Sequence, residues 1–494
     1  MARLSDLLSQ EKAGKFGAVE ITGITADSRK VEDGYLFVAL KGSNVDGARF
    51  IPAAIENGAA AILTGRDAGS WDDSVAVIGT DHPHHCLARI AARFYHQQPE
   101  NVVAVTGTNG KSSVCHFLRQ LWQRAGRDAA SFGTLGIDTN DGHRALGLTT
   151  PDPVTLHREI ARLADEGITD LAMEASSHGL DQRRLDGVTL AAGAFTNLSQ
   201  DHFDYHGTME AYLQAKLRLF SDLLAPGSPA VVFAAPDGDI WTDAVAEIAA
   251  DRGLKLIPYG AKGIKFTITA ADLSGQTLHI TSDDAETGLG DWHADVTLPI
   301  IGSFQAENAI CALTLFLAEG GDLTIGLSAL PHLQGVDGRM QDAGTLPNGG
   351  RVFIDYSHTS GGLTAALKSL RPHTDGRITT VFGCGGDRDP AKRPLMGQAA
   401  AELSDRVIVT DDNPRSEDPA LIRAAALTGA PGATEIGDRA LAIRDAIEHL
   451  GNGDVALIAG KGHETGQIVG DEVLPFSDLA ISREIILQLG GVSS

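Results

Sequence analysis

Short apolar runs alternate with stretches of helical periodicity along most of the chain. Near the N-terminus, apolar runs at 35–40 and 60–63 predict two strands, with a helix over 50–57 between them. The polar stretch 97–100 then gives way to the apolar run 102–105, and a domain boundary is placed there. From 99 to about 337 the order is strand, then helix. Strands are predicted at 102–105, 170–174, 192–196 and 230–234, and helices at 113–125, 155–165, 209–224 and 241–250. Such alternation implies a parallel sheet covered by helices on both faces. Residues 265–270, 277–281 and 294–298 alternate with period two and predict an antiparallel insertion, followed by a buried helix over 304–317. A second α/β pattern begins near 338, with strands at 352–355, 379–382, 406–410 and 455–459. The expected architecture is therefore α/β in three domains, 1–98, 99–337 and 338–494. They are a small N-terminal α/β domain, a central P-loop-type domain whose mostly parallel sheet carries the insertion, and a C-terminal Rossmann-like domain.

Composition narrows the function. A chain of 494 residues with 43% hydrophobic and 21% charged residues is ordinary globular material, long enough for about three domains. Its net charge of −24, with no basic run, excludes general nucleic-acid or anionic-membrane binding. An anionic ligand must be held by a few local Arg and Lys residues and by backbone N–H groups. Four scattered cysteines contain no CxxC pair, so neither a zinc ribbon nor a disulfide framework is expected. No run is apolar enough to span a bilayer or to read as a secretory leader, and a cytoplasmic protein is expected. The cluster HPHHC at 82–86 fits no metal-ligand spacing and reads as the solvated start of a helix or loop.

Residues 102–113 run from a strand through a glycine-containing turn into Lys-Ser at the start of a helix. A triphosphate needs this arrangement. Gly107 and Gly110 let the backbone approach, the N–H groups of Thr108 to Ser113 can face phosphate oxygens, Lys111 supplies charge and the Ser112 hydroxyl can reach Mg2+. Val105 stands where the Walker pattern has its first glycine. Glu174 ends one predicted strand and His202 follows another, where open α/β sheets place their ligands. Lys216 lies one helical turn from Tyr212, Leu213 and Phe220, so it points near the apolar stripe, where a lysine readily loses its charge.

The segment TGTNGKSS at 106–113 resembles the ATP loop of the Mur ligase superfamily, which also contains folylpolyglutamate synthetase, and further motifs agree in order over nearly the whole chain. The resemblance implies an ATP-dependent, Mg2+-requiring amide ligase of cytoplasmic peptidoglycan synthesis. Among its branches the match is best to the one joining meso-2,6-diaminopimelate to UDP-MurNAc-L-Ala-D-Glu. It implies Lys111, Glu174, His202 and Lys216 as catalytic residues. Mg2+ would be held by Ser112, Glu174, His202 and Lys216, the last as a carbamate (N6-carboxylysine) in YxxxK. Asn308 in FQAENA, Arg339 in GRM, and Asp355 and His358 in DYSHT join residues 107–113, from Gly107, Thr108 and Asn109 to Ser113, as ATP contacts. Here DYSHTSGGL stands where the family usually has DYAHTPDAL.

The muropeptide contacts implied are Ser28 in TADSR, Ser43, Asn44 and Val45 in GSNVDG, Thr149 and Thr150 in TTPDP, and Ser176, Gln182 and Arg184 in SSHGLDQRR. The family often has His at the place of Ser43. Arg184 can clamp a carboxylate bidentately. Three loops of the last domain, 383–389, 411–419 and 459–464, each follow a predicted strand and can converge on one small ligand. Arg388 and Arg415 suit the two carboxylates of diaminopimelate and Glu464 an ammonium, while the resemblance adds Asp412, Asn413, Pro414 and Gly460. A monomer working on small-molecule substrates is expected. The competing readings are a lysine-adding ligase, which should lack the Arg of DNPR, folylpolyglutamate synthetase, which needs no UDP segments, and a P-loop switch that binds nucleotide without ligation.

Overall fold

The computed structural model describes residues 1–8, 13–42, 45–66 and 75–494. The chain forms two compact units. One comprises residues 1–264, 283–290 and 311–326; the other comprises 265–282, 291–310 and 327–494.

Besides a two-stranded pair, Ala2–Arg3 with Glu20–Ile21, the first unit contains two larger sheets. The N-terminal one has four strands, all parallel, in the order Gly23–Thr25, Tyr35–Val38, Ala61–Gly65 and Ala76–Thr80. Leu36, Val38, Ala61 and Leu63 bury one of its faces and Phe37 and Ile62 the other, so both are covered. The helix Pro83–Phe94 opens with proline at its first position and covers the Leu36 face through Leu87 and Ile90. The motif at 82–86 is the start of that helix, in agreement with its sequence reading.

The larger sheet is built around the strand Asn101–Thr106, which lies parallel between Asp170–Glu174 and Ala192–Phe195. Ala129–Gly133 continues the parallel order on one side, and Pro229–Ala234 and Lys255–Gly260 continue it on the other. Val102 to Val105 are fully buried on both faces, the mark of a central parallel strand. Every predicted strand and helix of this region is present within a few residues. One helix differs in form. Regular α-helix stops at Arg218, and Leu219–Leu223 make a wider π-turn closed by Leu224 N–H donating to Leu219 O at 3.1 Å. Leu219, Phe220 and Leu224 all lie in the core at that turn.

The second unit carries the antiparallel pair Gly275–Ser282 and Trp292–Leu298, as the alternating pattern predicts. Its main sheet runs Thr434–Glu435, Arg406–Val409, Ile378–Phe382, Val455–Ala459, Arg351–Asp355, all parallel, then Gln341–Thr345 antiparallel. Helices Ser360–Leu370, Lys392–Leu403 and Pro419–Leu427 cover one face, and Arg439–Glu448 and Asp478–Gln488 the other. A charged pair is sealed into this unit. Arg439 and Asp478 have no exposed side-chain surface and meet through two bonds of 2.7 Å, and the guanidinium also donates to Ala459 O. Removing one partner of a buried pair leaves the other without compensation and costs about 3–5 kcal/mol. Asp478→Ala should lower the stability of the full chain by about that amount in urea unfolding, whereas Asp283→Ala, on an exposed turn, should cost about 1 kcal/mol.

Candidate active site

The loop after Asn101–Thr106 is strapped to its surroundings. Gly110, at φ +86°, precedes the helix Lys111–Arg124 and turns the chain into it. Thr108 N–H donates to Asn197 O at 2.9 Å, Asn109 N–H to Asn197 Oδ1 at 2.9 Å, and Thr196 Oγ1 to Asn109 O at 2.6 Å. Thr108 Oγ1 reaches Ser199 O and accepts from the Tyr212 hydroxyl at 3.2 Å. Gly107 sits at φ +144°, and a Cβ there would fall 1.9 Å from Thr196 Oγ1. Only glycine can stand at that position. Lys111 Nζ folds back onto the carbonyls of Gly107 and Thr108 at 3.0 and 2.9 Å, so its charge lies over the loop.

Glu174 ends its strand beside this loop and is almost wholly buried. Its Oε1 accepts from Ser112 Oγ and Thr134 N–H, both at 2.8 Å, and its Oε2 from Thr134 Oγ1 at 3.1 Å. A carboxylate and a serine hydroxyl in contact form an oxygen pair of the kind a hard cation takes. Ser112, Glu174, Gly133 and Phe132 line a small pocket with Cys115 and His116. Cys115 is buried in the helix just beyond the lysine.

Lys216 is 1% exposed. Its Nζ donates to Gly107 O at 2.7 Å and lies 4.3 Å from the Tyr212 ring centroid. Burial, reinforced by the charge of Lys111, pushes its pKa well below the usual lysine range. The side chain does not snorkel; burial favours the neutral form of an amine that ends on the Gly107 carbonyl. Its helix is held by Arg218, which donates to Leu180 O and pairs with the buried Asp186 at 3.1 Å. Asp186 also takes His85 at 2.7 Å and Arg183 at 3.2 Å.

His202 caps the short helix Phe203–His206 in a left-handed conformation, φ +53°. Its ring lies 4.9 Å from His178 and 6.2 Å from Tyr212, and 46% of the side chain is exposed. Among the described residues no group of three or more His, Cys, Asp or Glu side chains is placed to hold a metal ion.

Four of the five muropeptide candidates after residue 100 are joined through Thr150. Its hydroxyl donates to Glu174 O at 3.0 Å and accepts from Ser176 N–H and Oγ. Arg184 donates to Thr150 O and Gln182 Oε1, both neutral acceptors, which leaves its charge uncancelled by these bonds. Thr149 meets Thr134 at 2.9 Å. Ser28 is half-buried in a 3-10 turn capped by Asp27, and Val45 is 43% exposed. Ser43 and Asn44 lie outside the described residues.

In the second unit, Asn308 is buried and donates to Gln305, whose amide reaches Arg339 O. The Arg339 guanidinium stacks 4.7 Å over Tyr356, and the exposed His358 packs against the same ring. Asp355 is buried and tied to the chain around it. Its oxygens are bound by Met340 N–H and by Ser357 N–H, both at 2.8 Å, and by the Ser357 hydroxyl, so it fixes the turn that carries Arg339.

The three loops of the expected amino-acid site do converge. A Cβ on Gly386 would fall 1.9 Å from Pro414 O, so glycine allows the 383–389 and 411–419 loops to touch. Arg415, at φ +51°, donates to Gly386 O at 2.8 Å, and the exposed Arg388 donates to Asp387 O. Neither guanidinium's hydrogen bonds go to a carboxylate. Below them, Asp412 and Asn413 are buried, and Asn413 Nδ2 donates to Glu464 Oε2 at 3.0 Å. Gly460, at φ +119°, follows the strand Val455–Ala459 beside Asp412. Sequence reasoning missed Thr134, Asn197, Tyr212 and Lys461. Asn197 and Lys461 carried a legible signal, since each follows a strand beside residues already singled out.

Three family models match successive parts of the chain. Residues 20–95 match the Mur ligase family catalytic domain, 105–316 the Mur ligase middle domain and 338–462 the Mur ligase glutamate ligase domain. The chain belongs to the Mur ligase family. The UDP-N-acetylmuramoyl-L-alanyl-D-glutamate–2,6-diaminopimelate ligase of Brucella melitensis is 49% identical over 474 residues, covering 96% of each chain. The enzyme of the same name from Agrobacterium fabrum is 47% identical over 490 residues, 99% of this chain and 97% of the relative. A solved structure of a ligase with that name aligns with a TM-score of 0.72 and 32% identity, covering 99% of both chains.

Gly107→Ala should displace the loop through its clash with Thr196. The folded variant should lose the rise in melting temperature that ATP gives the wild type, measured by differential scanning fluorimetry.

Proposed function

We propose that the chain is an ATP-dependent ligase that adds meso-2,6-diaminopimelate to the D-glutamyl γ-carboxylate of UDP-MurNAc-L-Ala-D-Glu, in the cytoplasm and as a monomer. Residues 1–98 bind the UDP moiety, 99–337 bind ATP and activate the carboxylate, and 338–494 select the amino acid. Among the described residues no helix is long and apolar enough to cross a membrane. One observation carries the choice of amino acid. The DNPR loop presents Arg415 hydrogen-bonded to neutral carbonyls above the buried Asp412. A ligand end bearing both a carboxylate and an ammonium satisfies both. The lysine-adding alternative leaves Arg415 without an anion, and folylpolyglutamate synthetase gives no use to the N-terminal segment matched at 20–95.

Amide formation driven by ATP first places the γ-carboxylate on the γ-phosphate, giving an acyl phosphate and ADP. The diaminopimelate amine then displaces phosphate through a tetrahedral intermediate. Crowding a carboxylate against a triphosphate is electrostatically costly. Mg2+, when bound, neutralises that approach. Ser112, Glu174, His202 and a carbamate on Lys216 are the residues that would hold it. Lys111 lies over the loop and meets the phosphates, with the N–H groups of 107–113. Arg184, its hydrogen bonds all to neutral acceptors, meets a carboxylate of the muropeptide near Thr149, Thr150, Ser176 and Gln182. Asn308, Arg339 and His358 contact the nucleotide, and Asp355 holds the Arg339 turn. Burial lowers the pKa of Lys216, and carbamate formation with CO2 draws on the neutral amine, since a protonated amine has no lone pair to offer.

Lys111→Ala should abolish phosphate release while the fold, followed by circular dichroism, is kept. Lys216→Ala should lose about two or more orders of magnitude in kcat, with partial recovery in added short carboxylic acids. An unmodified Lys216 in the electron density of an active complex would refute the carbamate. Arg415→Ala should raise the diaminopimelate KM by about two to three decades and spare the KM of ATP and muropeptide. Phosphate release assayed with UDP-MurNAc-L-Ala-D-Glu and a panel of amino acids tests the whole reading; efficient use of lysine by the wild type would overturn the specificity.

A further inference from the structure

The amino-acid loops enclose a lysine that the proposed chemistry does not use. Lys461 follows the strand Val455–Ala459, and its side chain has no exposed surface. Its ammonium donates to Glu464 Oε2 at 2.9 Å and to Asn413 Oδ1 at 3.1 Å, and stands 3.6 Å from Asp412 Oδ1. Three residues of the proposed pocket are thus arranged around one internal cation. Asp412 Oδ1 is itself buried and, beyond that long ion pair with Lys461, accepts no hydrogen bond. A buried carboxylate oxygen without a hydrogen-bond donor is costly unless a ligand donor completes it.

The charges around this oxygen decide what that donor can be. Arg439 and Asp478 cancel each other beneath the pocket. Asp412 and Glu464 bring two negative charges, and Lys461 removes one. The remainder matches one substrate ammonium. Arg415, at the rim, adds a place for one carboxylate. Without Lys461 the pocket would carry a second uncompensated negative charge and would favour a bare cation over a zwitterionic end.

We propose, on the reading of residues 411–415 and 459–464 as the amino-acid site, that Lys461 is a specificity-determining residue. It acts as a built-in counter-ion that cancels one of the two carboxylate charges. It also holds Asn413 and Glu464 in place, so that Asp412 Oδ1 is left as the acceptor for a single substrate ammonium. Lys461 does not contact the reacting atoms, and its effect belongs in amino-acid selection.

Two uncharged variants test this, Lys461→Gln, which keeps hydrogen-bonding capacity, and Lys461→Met, which does not. In either folded variant the ratio of kcat/KM for diaminopimelate to that for lysine should fall at least tenfold, chiefly through a higher diaminopimelate KM. The KM of ATP and of the UDP-linked dipeptide should stay within about twofold. A ratio unchanged in a folded variant, with kcat for both amino acids reduced equally, would show a merely structural lysine and overturn the proposal. A second arm uses only the wild type. 2-Aminopimelate keeps the attacking amine and both carboxylates but lacks the second amine, and its KM should exceed that of diaminopimelate at least thirtyfold. Equal KM values would refute the single-ammonium pocket even if neither variant folds. A wild type that releases phosphate with no amino acid would instead overturn the ligase reading beneath it.

Discussion

The burial of one amine organises the first unit. Lys216 gives up solvent to end on the carbonyl of Gly107, and burial shifts it toward its neutral form. Gly107 itself takes a conformation closed to other residues. The same glycine brings the loop against Thr196, and Thr196 and Asn197 hold the next two peptide units. Tyr212, one turn before the lysine, fixes Thr108 from the other side. Loop, strand ends and helix therefore form one hydrogen-bonded assembly in which no member can shift alone. Its outer brace is Asp186, where arginines from two elements and a histidine of the N-terminal helix meet on one buried carboxylate.

The amino-acid site proposed for the second unit poses a different problem. A pocket for a zwitterion needs both signs of charge in a place with little water, where each is costly alone. The sheet supplies the answer at the ends of its parallel strands. Arg439 and Asp478 neutralise each other deep in the unit, Lys461 and Glu464 pair nearer the surface, and Arg415 is held at the rim by main-chain carbonyls. The order runs from fully compensated charge inside to available charge outside.

Much of this was legible in the sequence because the two periods differ so clearly. Buried parallel strands such as 102–105 read as unbroken apolar runs, and the insertion read as alternation. The loop residues 107–113 announced themselves through glycine and Lys-Ser between a strand and a helix. What stayed hidden had physical reasons. The π-turn after Arg218 inserts one residue into a run that reads as continuous helix, and no local propensity marks it. Lys461 sat between two residues already chosen, yet a lysine on a loop normally belongs to the solvent, and only the fold shows it buried. The bonds that Met340 and Ser357 make to Asp355 were equally hidden, because a sequence cannot show which N–H groups a carboxylate collects.

Cys115 follows Lys111 by one helical turn, in the segment on which nucleotide binding depends. Burial, with Glu174 as the nearest opposing charge, raises its thiol well above the ordinary cysteine range. Reaction with electrophiles and oxidants requires the thiolate and access to it, and this side chain offers neither. The phosphate loop therefore carries a sulfur atom without carrying a redox liability, and maleimides or peroxide should reach the half-buried Cys86 long before they reach the catalytic unit's core.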